Sequence, residues 1–188
     1  ASLARRIKAM EGIESVTPYI YSQTMITSGR GGAGIVLRGI DPDSASSVLS
    51  LPSQVVQGDF SGLQDTSRNP GSPPGIILGD ELARKLAAGP GRRLRILSPS
   101  GPLTPMGIMP RIKTCEVVGI FDTGMYEYDS SLAYVSLETA REFLNMEDSV
   151  HGLEIGVANI YRADSLAGKI EEKLGSPYIA KDWMEMNH

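Results

Sequence analysis

The chain has 188 residues, of which 41% are hydrophobic and 21% charged, with a formal net charge of -4 at pH 7. That balance suits a globular chain with a substantial core, in one domain or two small ones. Mild acidity without a basic run argues against nucleic acid or an anionic membrane surface as the main partner. The single cysteine, Cys115, leaves no internal disulfide and reads as a buried thiol in a strand, and no apolar run approaches the roughly 20 residues of a spanning helix.

In chain order, Leu3, Ile7 and Met10 recur at helical spacing with Arg5, Arg6 and Lys8 between them, and Gly12 is placed to stop the helix. The chain thus begins abruptly inside an amphipathic helix, as a piece cut from a longer protein would. Residues 16–27 and 35–40 alternate as two strands of a hairpin. The glycine-rich stretch between them lacks the following helix N-terminus that a phosphate loop needs, so a flexible turn is expected over residues 28–34. Asp41-Pro42-Asp43-Ser44 supplies a helix start, with a short helix over 45–49, and its two carboxylates read as caps rather than metal ligands. Residues 58–74, rich in Gly, Pro, Ser, Asn and Asp, are expected to form an irregular connection and a subdomain seam.

Residues 75–79 form an apolar strand, Asp80 is placed to cap a helix through Ala88, and residues 93–97 alternate as the next strand. A return strand over 114–121 makes these two an antiparallel hairpin with a long tip, residues 98–113. That tip holds Pro99, Pro102, Pro105 and Pro110, each of which fixes φ and removes a backbone donor. Between the prolines lie Leu103, Met106, Ile108 and Met109. Long connections in small domains are usually functional or disordered, and apolar side chains on a proline-stiffened loop suggest docking; the competing reading folds the loop back into its own core. Residues 122–131 follow without an assigned element, then 132–135 read as a strand and Ser136 as the cap of a helix over 137–146. A strand over 151–159, a helix over 164–174 and a last strand over 178–182 complete an α+β pattern with mixed or antiparallel sheets.

One catalytic string stands out. Phe121-Asp122-Thr123-Gly124 matches the short signature of aspartic proteases, but that chemistry needs two carboxylates sharing a proton and the chain has one copy. Asp122 is more simply a turn residue. His151 and His188 lie far apart and Cys115 has no local partner, so neither a zinc site nor a Cys-His nucleophile assembles from spacing. No cofactor and no metal site are expected.

Several segments carry a resemblance: Leu37-Arg38-Gly39-Ile40-Asp41-Pro42, Ile77-Leu78-Gly79-Asp80-Glu81-Leu82-Ala83, Thr104-Pro105-Met106-Gly107, and Gly124-Met125-Tyr126-Glu127-Tyr128-Asp129 leading into Ala133-Tyr134-Val135. In this order they resemble the periplasmic domain of the LolC/LolE family, permease subunits of the ABC transporter that releases lipoproteins from the bacterial inner membrane, within the wider group of MacB-like periplasmic core domains. The resemblance implies a porter-like subdomain from 1–58 and 147–188, an inserted Sabre-like subdomain over 59–146, and a hook hairpin at 98–113. It also implies membrane helices before Ala1 and after the Trp183 region, and a non-catalytic domain on the periplasmic face of the membrane.

Thr-Pro-Met-Gly is the hook sequence of LolC-type members, so the chain resembles LolC or a hybrid LolF-type permease. The resemblance implies that Pro102, Leu103, Thr104, Pro105, Met106, Gly107, Ile108, Met109 and Pro110 engage the periplasmic lipoprotein chaperone LolA, a half-open β-barrel. It implies a basic patch beside the hook at Arg95, Ile112 and Lys113, where Ile112 departs from the family's polar residue and the loop is one residue shorter before Pro105. Implied partners in the full complex are a LolD-type ATPase, a second permease subunit that is LolE-type or a second copy, and lipoprotein cargo. The alternatives are a MacB-like efflux or FtsX-like regulatory permease and, remotely, the aspartic protease.

Overall fold

A computed structural model describes residues 2–64 and 71–182. Helix α1 (Ser2–Lys8) ends four residues before Gly12, which at φ +88° closes the following turn and leads the chain into β1 (Ile13–Ser28), a 16-residue strand whose alternation puts Ile20, Thr24 and Ile26 on a buried face. β2 (Gly31–Ile40) runs back along it in register from Ser28↔Gly31 to Tyr19↔Ile40. The flexible turn expected over 28–34 is therefore only Gly29 and Arg30. The ladder continues through Gly32 and Gly34, because they lie opposite Thr27 and Met25, whose strand supplies the backbone partners.

Asp41 accepts from the Asp43 amide and starts α2 (Pro42–Ala45), so the expected helix lies a few residues earlier. Two elements were not legible: α3 (Leu51–Gln54) and β3 (Val55–Gly58), a short edge strand against residues 119–121 further along the chain. The 58–74 connection begins with a 3-10 turn, Phe60–Leu63, capped by Asp59 and burying Leu63. β4 (Gly75–Gly79) is buried throughout and leads into α4 (Asp80–Leu86). Here Gly79, not Asp80, is the N-cap. Asp80 lies inside the helix and pairs with Arg84, and Gly79 passes so close to Asp129 that an added Cβ would lie 2.2 Å from its carbonyl oxygen.

β5 (Arg93–Ser98), the small strands β6 (Leu103–Thr104) and β7 (Gly107–Ile108), and β8 (Arg111–Phe121) follow. Residues 122–131, to which the sequence pattern assigns no element, contain a helix, α5 (Tyr126–Ser131). β9 (Leu132–Ser136) then enters α6 (Leu137–Leu144), where the Ser136 hydroxyl accepts from the Thr139 amide at 3.1 Å as its sequence position requires. β10 (Gly152–Val157) and α7 (Ala163–Leu174) close the described chain. No strand forms over 178–182: the Ala180 amide bonds a Glu171 carboxylate oxygen instead of a neighbouring strand.

The large sheet runs β10-β1-β2-β9-β4-β8-β3, and β5 joins β1 to β8. The pairings β1-β2-β9-β4-β8-β5-β1 thus return to their starting strand, with β2/β9 and β4/β8 parallel and the others antiparallel. Inside, Ile26, Leu37, Ile76, Leu78, Ile96 and Val117 meet Leu82 and Leu86 of α4 and Phe143 of α6. A second core on the other face joins Ile40, Leu51, Leu63, Ile77, Phe121 and Tyr134, and a third packs Ile7 of α1 and Ile170 of α7 on Val16. Burying large aliphatic side chains of this kind contributes about 1.5 to 3 kcal/mol each. No helix among the described residues is long and apolar enough to cross a membrane.

Candidate functional site: a projecting hairpin

β5 and β8 pair from Arg93↔Glu116 to Ser98↔Arg111, so the return strand starts three residues earlier than its alternation suggests. Beyond that last pair the two chain segments stay close. Gly101 passes the Met109 carbonyl so tightly that an added Cβ would lie 1.6 Å from its oxygen, and the Met109 amide donates to the Pro102 carbonyl at 3.1 Å. Further out, Leu103↔Ile108 and Thr104↔Gly107 form a minimal ladder. The tip therefore has a fold of its own, with Pro105 and Met106 at the turn.

Thr104 organises that turn. Its hydroxyl donates to the Gly107 carbonyl at 2.7 Å and accepts from the Met106 amide at 3.3 Å, while Pro105 presets φ and Gly107 takes φ +112°. The turn holds the apolar side chains outward. Leu103 is 83% exposed, Met106 98%, Ile108 62% and Met109 59%, and Pro102, Pro105, Gly107 and Pro110 are exposed with them. Only Thr104 is partly covered. The alternative in which the loop fills its own core is ruled out by these exposures, since a buried side chain is covered by several neighbours.

Register places the three patch residues. Arg95 lies opposite Thr114 on β8 and Thr27 on β1, on the outer face, and is exposed. Ile112 shares that face: it pairs with Leu97, which pairs with Met25, making an apolar row across three strands with Ile112 56% and Met25 47% exposed. Lys113 points to the other face, opposite Ile96, where its ammonium pairs with Glu142 of α6. The structure thus brings Arg95 and Ile112 together and separates Lys113 from them. Met25 was missed because its approach to Leu97 depends on β1 meeting β5, a pairing of segments 70 residues apart that no local pattern encodes.

The other candidates have structural partners. An Asp122 carboxylate oxygen accepts from the Gly124 amide at 2.8 Å, and buried Asp129 accepts from the Thr123 amide and hydroxyl at 2.9 and 2.8 Å. His151 Nδ1 accepts from the Tyr21 amide at 3.0 Å, and Cys115 is in the inner core. Among the described residues no group of three or more His, Cys, Asp or Glu is placed to hold a metal. Arg38 of the Leu-Arg-Gly-Ile-Asp segment lies between the Tyr19 and Tyr134 rings and pairs with Glu154 of β10. Burial works to lower its pKa, but the Glu154 carboxylate outweighs this and holds the guanidinium above its ordinary value. Burial pushes the Tyr134 hydroxyl up.

A family model, the MacB-like periplasmic core domain, matches residues 1–173. The chain belongs to that family. It is 32% identical over 187 residues to the "lipoprotein-releasing system transmembrane protein LolC" of Neisseria meningitidis serogroup B, covering 99% of this chain and 44% of that protein. The chain therefore spans less than half the length of that relative. In fold it is similar to the extracellular domain of the noncanonic ABC-type transporter YknZ from Gram-positive bacteria, with TM-score 0.64 and 14% identity over 96% of this chain and 88% of that one. It is also similar to the periplasmic region of MacB from Actinobacillus actinomycetemcomitans, with TM-score 0.58 and 16% identity over 92% and 72%. These two share the architecture.

Proposed function

We propose that this chain is the periplasmic part of a LolC-like or LolF-type permease in a lipoprotein-releasing ABC transporter, and that its hairpin at 98–113 recruits the chaperone LolA. The observation that carries the reading is the exposure of Leu103, Met106, Ile108 and Met109 on a hairpin organised by Thr104, Pro105 and Gly107. Similarity to a lipoprotein-releasing LolC protein supplies the transport context. The hairpin is suited to enter an apolar groove. Its own ladder and prolines reduce the roughly 0.5 to 1.5 kcal/mol per side chain that ordering a mobile loop would cost on binding.

On this reading Arg95 and Ile112 form the sheet-side contact, and the row through Leu97 and Met25 extends it. Lys113 acts on the opposite face through Glu142. The domain does no covalent chemistry: a LolD-type ATPase hydrolyses nucleotide on the cytoplasmic side, and a second permease subunit, LolE-type or a second copy, completes the transporter around lipoprotein cargo. The porter-like segments 1–58 and 147–188 and the inserted segment 59–146 remain part of the proposal. Pairing of β1 with β10 supports the first grouping, while β2/β9 and β1/β5 tie both pieces into one sheet.

The test is a photo-crosslinking amino acid at Met106 of the full-length permease in cells. The reading expects a covalent adduct with LolA that is lost when the crosslinker is moved to exposed Arg92, away from the hairpin. Equal adducts from both positions, or none from Met106, would refute it. A MacB-like or FtsX-like permease would instead give an adduct with an adaptor or hydrolase.

A further inference from the structure

Away from the hairpin, the turn between β1 and β2, the end of α4 and the start of β5 enclose a cleft of about 300 Å³. Three arginines line it, Arg30 from the turn and Arg92 and Arg93 at the start of β5, with no carboxylate in the lining. None of the three guanidinium groups has an ion pair among the described residues, whereas Arg38, Arg84 and Lys113 are each matched to Glu or Asp. Glu116 on β8 lies directly opposite Arg93 in register but outside the lining. In a chain of net charge -4, gathering three cations that are unmatched among the described residues in one concavity creates a local positive potential against the overall sign.

The walls are already fixed. The Ser28 hydroxyl donates to the Leu86 carbonyl at 2.8 Å and accepts from the Arg30 amide at 3.2 Å, which ties the turn to α4 and sets Arg30 at the lip. Leu86, Ala88 and Leu94 close the base of the cleft and are themselves buried in the inner core, so the accessible lining is mainly polar. Guanidinium groups present planar pairs of donors that match oxyanions two oxygens at a time. Three of them exceed what one carboxylate neutralises and suit a dianion. The volume exceeds a bare phosphate and leaves room for the first atoms of an ester substituent beside the arginines.

We infer that this cleft is a binding site for a phosphate-type oxyanion, the phosphate group of a phosphate ester held by Arg30, Arg92 and Arg93. The site is independent of the hairpin and of what the hairpin recruits. The ester has two possible sources, a phospholipid headgroup or a soluble phosphorylated compound.

Titrating the 188-residue chain with inorganic phosphate and with glycerol phosphate, followed by amide chemical shifts, tests it. Saturable shifts centred on residues 28–31 and 86–94 are expected with both ligands, and weakened at least tenfold in the Arg30→Gln, Arg92→Gln, Arg93→Gln triple variant. All three side chains are exposed, so the triple variant should melt with the wild type. If it does not, the single Arg93→Gln variant carries the test with a several-fold loss, and Arg93→Lys should rescue it only in part. Cosedimentation with phosphatidylglycerol vesicles against phosphatidylcholine vesicles separates the sources: arginine-dependent vesicle binding assigns a headgroup, and its absence alongside arginine-dependent phosphate binding assigns a soluble ester. Non-saturable shifts, or equal affinity in the glutamine variants, would overturn the inference.

Discussion

Replacing Gly101 with Ala tests whether the shape of the hairpin, and not only its apolar composition, matters. The new Cβ would lie 1.6 Å from the Met109 carbonyl oxygen and 2.7 Å from its carbon. Contacts under 3.0 Å to backbone cannot persist, so the two segments must part by more than an ångström. The hydrogen bond from the Met109 amide to the Pro102 carbonyl sits at that crossing and is worth about 1 kcal/mol net. Beyond Ser98↔Arg111 the hairpin's apolar side chains are exposed, so the global cost should stay within about 1 to 2 kcal/mol. Every apolar side chain is retained, yet chaperone affinity should fall about tenfold or more, a change of about 1.4 kcal/mol. Thermal melts and a calorimetric titration with LolA on the same samples read both quantities. A variant with displaced hairpin amide shifts but unaltered affinity would refute the role of hairpin geometry, and a stability loss above about 3 kcal/mol would place the loop in the core.

Other consequences follow from the sheet. Arg95→Glu should weaken the chaperone complex more at low than at high salt, whereas Lys113→Glu, facing Glu142 on the opposite side, should change affinity little; titrations at two ionic strengths separate them. Gly39→Ala would put a Cβ 2.4 Å from that of Ala140, forcing α6 off β2 at about 1 to 3 kcal/mol in urea unfolding. Tyr134 stays neutral in the fold at pH values where the unfolded chain ionises, so its contribution is complete below about pH 10 and lost as pH rises towards its raised value. Tyr134→Phe should flatten that alkaline loss in denaturant melts at stepped pH.

Local pattern carried most elements because their causes are local. Ser136 caps α6, Gly12 turns φ positive after α1, and β4 reads as a short apolar run because it is buried on both faces. What stayed hidden depends on partners far along the chain. Position 79 must be glycine because Asp129 passes against it, β3 exists only against the end of β8, and α5 has no apolar stripe, burying only Asp129. For the candidate site, the prolines marked the hairpin, but its ladder depends on Thr104 turning back on Gly107, a contact that a Pro-rich string conceals. The patch divided for a simple reason. Adjacent residues on a strand face opposite ways, so Ile112 and Lys113 cannot share a surface, whereas Ile112 can share one with Leu97 and Met25.

The most direct measurement is a titration of the isolated chain with LolA from the same organism, for the wild type and for the Pro105→Gly, Met106→Ser double variant. Met106 is 98% exposed, so the variant should keep the wild-type melting temperature. Saturable binding by the wild type, weakened in the variant by about 1 kcal/mol or more, is the predicted result. No binding by the wild type, or equal affinity in the two proteins, would contradict the account.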